Sequence, residues 1–359
     1  MNLFNIYNAI LDFLKGDIYK SDFIDEYTMD NIFCWPQNQG FVTESLFRGN
    51  DYCYAAFIPK RLNDKVTADM AQTISERYSH AVSLYLLGVY IARTIGYEKF
   101  KLPKYDNNAE RTFLQHWSAC CLFHDMGYSI EMQSPIYDRY TNISDLLSHF
   151  KCKFNLLEDE NISADFADLI QNYFRYRKER MGRIDHGIVS GLLFFDSMKK
   201  EQQKKIEMAS AAEIFIDTSP LSNSQLNSIA FFYSETLIKH NIWFIESNSE
   251  KVSEYKKYGL DSLIISKTDT DKKISFRNNP LLFLLCFLDT IEPLKRAGNY
   301  SGDKLRDYDF SIIVQENVFK IVICGSNLDN FFNYLLRQQY WLDFTPKYNK
   351  SKITISCSM

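Results

Sequence analysis

Several things are scarce in this chain. Of 359 residues, six are histidine, 13 glycine and eight proline. So few chain breakers, and no internal repeat, exclude collagen-like and low-complexity architectures. No apolar run approaches the roughly 20 residues that a bilayer span needs; the longest clean one, Pro280–Leu288, is about half of that. Neither sign of charge is in excess: 41 Lys and Arg against 45 Asp and Glu leave a net −4. That balance gives no general attraction to nucleic acid, although a local basic patch stays open. The eight cysteines (Cys34, Cys53, Cys120, Cys121, Cys152, Cys286, Cys324, Cys357) contain no CxxC pair, so neither a zinc ribbon nor a disulfide framework is expected. Free thiols in a chain of this size suit a reducing, cytoplasmic compartment. The opening MNLFNIYNAILDFLKGD lacks a basic start and is broken by Asn and Asp, so it reads as an amphipathic helix rather than a signal peptide.

What is present is an ordinary globular composition, 46% apolar and 24% charged, with ample material for a core. After the first helix, residues up to about 65 are irregular and aromatic-rich. From 66 to 298 apolar residues recur three and four apart, which predicts helices over about 66–96, 110–128, 141–150, 163–178, 186–200, 204–216, 223–240 and 280–297. Residues 97–109 and 246–279 read as loops. Residues 299–359 change character: DFSIIVQENVFKIVIC over 309–324 is a hairpin signal, 327–340 looks helical, and 352–356 alternates like an edge strand. The expected fold class is mainly α, a helical body at 66–298 with a small C-terminal α+β element and an N-terminal segment at 1–65.

Four of the six histidines and two aspartates share one kind of setting. His80 (ERYSHAVSLYLLGVYIA), His124 and Asp125 (HWSACCLFHDMGYS), His186 (RIDHGIVSGLLFFD), His240 (FFYSETLIKHNIW) and Asp289 (LLFLLCFLDTIEP) each lie on or beside an apolar helix. His124 follows Trp117, Cys120 and Cys121 at offsets of seven, four and three; Asp289 follows Leu282, Leu285 and Cys286 at the same offsets. Helical geometry points such groups toward the core. An unpaired buried carboxylate costs several kcal/mol, so it must be paired or bind a metal. Imidazoles and carboxylates converging from separate helices make a nest for a divalent transition metal. His116 and His149 have no such context and are expected at the surface.

The order His80, His124-Asp125, Asp289 resembles the H…HD…D signature of the HD-domain metal-dependent phosphohydrolases, over about residues 66–298. Asp185-His186-Gly187 and His240 resemble the additional ligands of the two-metal branch, H…HD…H…H…D. The resemblance implies an all-helical HD bundle. It implies a first metal held by His80, His124, Asp125 and Asp289, with Asp125 bridging to a second held by His186 and His240. Two divalent ions (Mn, Fe, Co or Ni, with Mg or Zn possible) would then supply the hydroxide that cleaves a phosphoester or phosphoanhydride of a nucleotide, dinucleotide or similar small phosphate. There is no GYP tripeptide after the HD pair, only Gly127-Tyr128, so cyclic di-GMP specificity is not implied.

Candidate catalytic residues are therefore Asp125, His186 and Lys295. The basic stretch 173–183 (YFRYRKERMGR) holds Arg175, Arg177, Lys178, Arg180 and Arg183. It is either a set of phosphate clamps, since guanidinium matches phosphate bidentately, or a solvated helix end. Arg180, Arg183, Lys295 and Arg296 are the candidate substrate contacts; Lys295 alternatively pairs with Glu292. Asp185 is expected to cap its helix. Two other classes stay open: a metal-dependent single-strand nuclease, which the basic stretch permits and the net charge disfavours, and a non-catalytic nucleotide-binding sensor.

Overall fold

The computed structural model describes residues 1–13, 68–103, 107–131, 140–211, 223–266, 268–292, 306–326 and 328–359. The helices in chain order are α1 (Leu3–Phe13), α2 (Ala68–Ile95), α3 (Ala109–Phe123), α4 (Tyr128–Glu131), α5 (Ile143–His149), α6 (Ala164–Met181), α7 (His186–Ala211), α8 (Asn223–Lys239), α9 (Val252–Lys257), α10 (Pro280–Ile291) and α11 (Leu328–Gln338). Short strands β1 (Ile245–Glu246) and β2 (Ile264–Ile265) pair in parallel. Strands β3 (Asp309–Gln315), β4 (Val318–Cys324), β5 (Thr345–Asn349) and β6 (Lys352–Ser358) form an antiparallel sheet in the order β3-β4-β6-β5. The mainly helical architecture with a small C-terminal sheet is as the periodicities predict.

Local chemistry explains the helix boundaries. Asn108, Asn142, Ser163 and Asn279 each accept a backbone N–H of the first turn that follows, and Gly182 closes α6 in the left-handed region at φ 63°. The apolar run that is too short for a bilayer becomes α10, the central strut. Its residues Leu281–Leu288 are all buried, each worth about 2 kcal/mol when a large side chain is fully removed from water. Around it pack α2, α3 and α8.

Two close approaches fix the spacing of the site-bearing helices. The Trp117 ring lies on Gly88, where a Cβ would come within 2.2 Å of it, and Trp117 Nε1 donates to Tyr85 O at 3.0 Å. That contact seats α3 on α2. A Cβ at Gly191 would meet Ile238 Cγ1 at 2.4 Å and Ser234 O at 2.7 Å. The bare backbone there lets α7 and α8 run against each other, and they share the most extensive helix pairing in the described residues.

Some expectations change. The predicted helices 186–200 and 204–216 are one helix, α7, as far as Ala211; residues 212–216 lie outside the described residues. The helix predicted over 110–128 ends at Phe123 and restarts as the short α4. The two predicted loops contain short turns of 3-10 helix at Tyr97–Phe100, Asp261–Leu263 and Thr270–Lys272, besides α9. The 352–356 run is not an edge strand: β6 lies inside the sheet, between β4 and β5, with Ile353, Ile355 and Cys357 buried. The hairpin falls where predicted, with Ile312 opposite Ile321. At the opposite end, α1 packs on α2, and Leu3 N donates to Tyr308 O while Phe310 N donates to Met1 O, both at 2.9 Å.

Candidate metal centre

Five helices and their ends deliver the polar groups. His80 sits on α2, His124 at the C-terminal cap of α3 with Asp125 next to it, His186 at the first position of α7, His240 just past α8, and Asp289 in the last turn of α10. Ring centroids of His80 and His124, of His124 and His240, and of His240 and His186 are each 5.4 Å apart, so the four imidazoles form one continuous row. Ligand atoms of His80, His124 and Asp125 lie within 4.8 Å of one another, and so do those of Asp125, His186 and His240. Asp125 belongs to both groups: its Oδ2 is 3.4 Å from His124 Nε2 and its Oδ1 is 3.3 Å from His186 Nε2. Asp289 Oδ1 stands 2.9 Å from His80 Nε2 and 4.0 Å from His124 Nε2.

Each imidazole is held from behind by its Nδ1. His124 Nδ1 donates to Cys121 O at 2.8 Å, and His240 Nδ1 donates to Leu237 O. A carbonyl can only accept, so the proton of each neutral ring is on Nδ1 and the lone pair of Nε2 faces inward. His80 Nδ1 meets Glu292 Oε2 at 3.2 Å, and His186 Nδ1 meets Glu131 Oε2. A carboxylate behind a ring fixes its orientation and raises its basicity as a metal ligand. These residues fit a divalent cation. His124 Nε2 is buried with no hydrogen-bond donor among the described residues, yet it points its lone pair at two carboxylates. Acceptor facing acceptor in a buried space is costly unless a cation lies between them.

The electrostatics agree with that tautomer pattern. Burial pushes His124 down to about 4 and His240 down to about 3, so both rings are neutral near neutral pH. His186 goes the other way. Burial alone would lower it, but hydrogen bonds to Asp125 and Glu131 lift it to about 9. Burial opposes the charge on Glu131, but His186, Arg177 and Arg183 together hold it below the usual carboxylate range.

Behind His186 the support is extensive. Arg177 Nη2 donates to Glu131 Oε1 at 2.6 Å, and its Nε is 3.5 Å from Asp185 Oδ2. Asp185 accepts from Ile188 N at 3.0 Å, capping α7 as expected, and from Asn241 Nδ2 at 2.7 Å. The indole of Trp243, 43% exposed, roofs the guanidinium of Arg177, whose Cζ is 4.4 Å from the ring centroid. Behind His80, Glu292 Oε1 accepts from Ser83 Oγ at 2.7 Å, and Ser83 Oγ is 2.8 Å from Tyr7 OH.

All six residues expected as ligands thus lie in one cluster. The substrate candidates fare differently. Arg177 is buried in the support of His186. Arg180 is exposed and paired with Glu254, away from the cluster residues. Arg183 is exposed, with Nη1 4.0 Å from Glu131 Oε1, and is the member of the basic stretch that combines nearness to the centre with access to solvent. Lys295 and Arg296 lie outside the described residues. His149 is exposed as expected, whereas His116 is not: it is fully buried, with Nε2 donating to Pro103 O at 2.7 Å, a hydrogen-bonded core histidine held down to about 4 by burial. Sequence reasoning missed Glu131, Asn241 and Ser83, and gave Glu292 a different partner.

No family profile, curated protein or solved structure matches this chain.

Proposed function

We propose that the chain is an HD-type phosphohydrolase that uses two divalent metals to hydrolyse a phosphoester or phosphoanhydride of a nucleotide, dinucleotide or similar small phosphate. The observation that carries this reading is the shared position of Asp125, one carboxylate between two groups of inward-facing imidazole nitrogens. His80, His124, Asp125 and Asp289 would hold one ion, and Asp125, His186 and His240 the other. Such ions supply Lewis acidity toward phosphoryl oxygens and an acidified water. The chain itself contributes the rest. Glu292 and Glu131 keep His80 and His186 oriented. Arg177 neutralises Glu131 from the far side. Asp289, whose side chain is 26% exposed, and Arg183, 56% exposed, mark the solvent side from which a phosphate would enter. Arg183 offers that phosphate a guanidinium.

A nuclease is the weaker reading. Of the basic stretch that permits it, Arg177 is consumed internally and Arg180 is paired with Glu254. A nuclease should also lose binding steeply with salt, whereas a small-nucleotide site should respond less.

Metal stoichiometry by elemental analysis tests the proposal, on protein purified without chelator and reconstituted with Mn²⁺. Two equivalents per chain are expected, both lost in Asp125→Ala together with turnover of a phosphodiester panel, and one lost in His240→Ala. One equivalent in the parent protein would make His186 and His240 substrate contacts. None, or full turnover in Asp125→Ala, would sink the mechanism; tight nucleotide binding without turnover under several metals would leave the sensor.

A further inference from the structure

A separate cavity of about 250 Å³ opens beside the metal centre, between the C-terminal end of α8, Leu263, residues 271–279 and the first turn of α10. Its floor is apolar, made by Leu169, Ile242, Phe244, Leu263 and Leu282. Its rim is not. Lys239, Lys272 and Lys273 line it, against Asp271 as the acidic group. Each ammonium carries three donors. Lys239 Nζ gives one to Glu235 Oε1 at 2.6 Å, Lys273 Nζ gives one to Gln339 O at 3.0 Å, and Lys272 Nζ is 3.6 Å from Asp269. The buried Ser275 and the more open Asn278 and Asn279 add neutral polar groups to the lining. Two of the three ammoniums thus already face a carboxylate; Lys273, which has no carboxylate partner among the described residues, is the cation left to an incoming group above the apolar floor, and that combination suits a small anion with an apolar body.

The position of the cavity gives it a second property. Lys239 and Ile242 bracket His240, and Asn279 and Leu282 belong to the cap and first turn of α10, the helix that carries Asp289. The two elements are tied where Cys286 Sγ, one turn after Leu282, donates to His240 O at 3.8 Å. A body seated on Ile242 and Leu282 bears on that joint from outside the metal centre.

We propose that this cavity is an effector site for a small amphiphilic anion, a carboxylate or phosphate head on a short hydrocarbon body, and that its occupancy changes metal affinity at His240 and Asp289. The second half rests on the binuclear reading above; the first does not. Calorimetry on the full chain tests the site with octanoate, hexyl phosphate and octylammonium as probes. Octanoate or hexyl phosphate is expected to bind once per chain, with the tighter of the two assigning the head group, and octylammonium about tenfold more weakly or worse. Exchanging the exposed Lys272 and the half-buried Lys273 (K272E with K273E) should weaken anion binding about tenfold. Filling the floor with Leu169→Trp should abolish it. Equal binding of octylammonium, or anion binding that survives both changes, overturns the site. Coupling is read as free Mn²⁺ by electron paramagnetic resonance, where saturating octanoate should move the Mn²⁺ dissociation constant about threefold or more. An unmoved constant overturns the coupling while leaving the site. A chain that binds no Mn²⁺ in any state removes the metal reading and leaves the calorimetry to stand alone.

Discussion

Glu131 and Glu292 act alike, each a buried or nearly buried carboxylate behind the Nδ1 of a histidine whose Nε2 faces inward. Removing one should be felt at one metal only. Glu131→Gln keeps the shape and takes away the charge. The second Mn²⁺ equivalent should bind about 10–100-fold more weakly while the first is unchanged, as a calorimetric titration would read. The histidines also predict the pH dependence of the metal-free chain. His124 at about 4, His240 at about 3 and His116 at about 4 all lie below their ordinary 6.5, so stability is lost as pH falls from 6.5 toward those values. His186 at about 9 lies above it, so its contribution is complete below 6.5 and is lost as pH rises through 9. Melts of chelator-treated protein from pH 4.5 to 9.5 should therefore peak near 6.5, and Glu131→Gln should flatten the alkaline side. The six inward groups were legible in the sequence because each sits in an apolar stripe, where a titratable residue stands out. Their supports were not, because Glu131 reaches His186 from another element with no periodic mark. Glu292 did leave a trace: it lies three residues after Asp289, close to the same helical face.

Among the elements, the pairing of α7 with α8 decides whether His186 and His240 can face one ion. That pairing depends on the missing side chain of Gly191. Gly191→Ala would force Ile238 and the backbone at Ser234 outward, with a loss of about 1–3 kcal/mol from overpacking. The melting temperature should fall. The second Mn²⁺ equivalent should weaken while the first, on α2, α3 and α10, is retained. Loss of stability with both metals intact would mean that the helices repack without moving the histidines. Most elements were legible for the same reason as the site: a stripe of apolar residues at helical spacing names a helix whatever it packs against. The misreadings have physical causes. Two helices are read where α7 runs on because the half-buried polar stretch 199–203 bonds to the 151–159 segment and α8 through long side chains rather than through an apolar stripe. β6 looks like an edge strand because its outward residues are small or polar, which an inner strand also tolerates when one sheet face is open to water. β5 was missed because TPKYN carries only the buried Pro346 and half-buried Tyr348 on its inward side, too short an alternation to read.

At the scale of the whole molecule, the N-terminal helix meets the C-terminal sheet, and a chain of hydrogen bonds links that helix to the metal centre. The buried apolar residues form one contiguous cluster that includes Leu3, Ile6 and Tyr7 of α1 as well as Phe319 and Ile355 of the C-terminal sheet. α1 lies on α2 and its leading residues extend the β3 edge, so neither terminal piece is an independent attachment to the helical body. Tyr7 carries this further: its hydroxyl meets Ser83, which bonds Glu292, which holds His80. Burial and the nearby Glu292 charge raise Tyr7 well above its ordinary value, so the group in this chain is the neutral phenol. Tyr7→Phe removes one oxygen and nothing else. It should cost about 1 kcal/mol of stability, the usual size for a lost neutral hydrogen bond. It should also loosen the first metal several-fold, within the range that changes to a ligand's outer support produce. The second metal, backed by Glu131 and Arg177, should be unaffected. Mn²⁺ titration beside a thermal melt separates these effects. A stability loss with both metal affinities unchanged would reduce α1 to a packing element, whereas selective weakening of the first site would make the N-terminal helix part of the machinery that holds His80 in place.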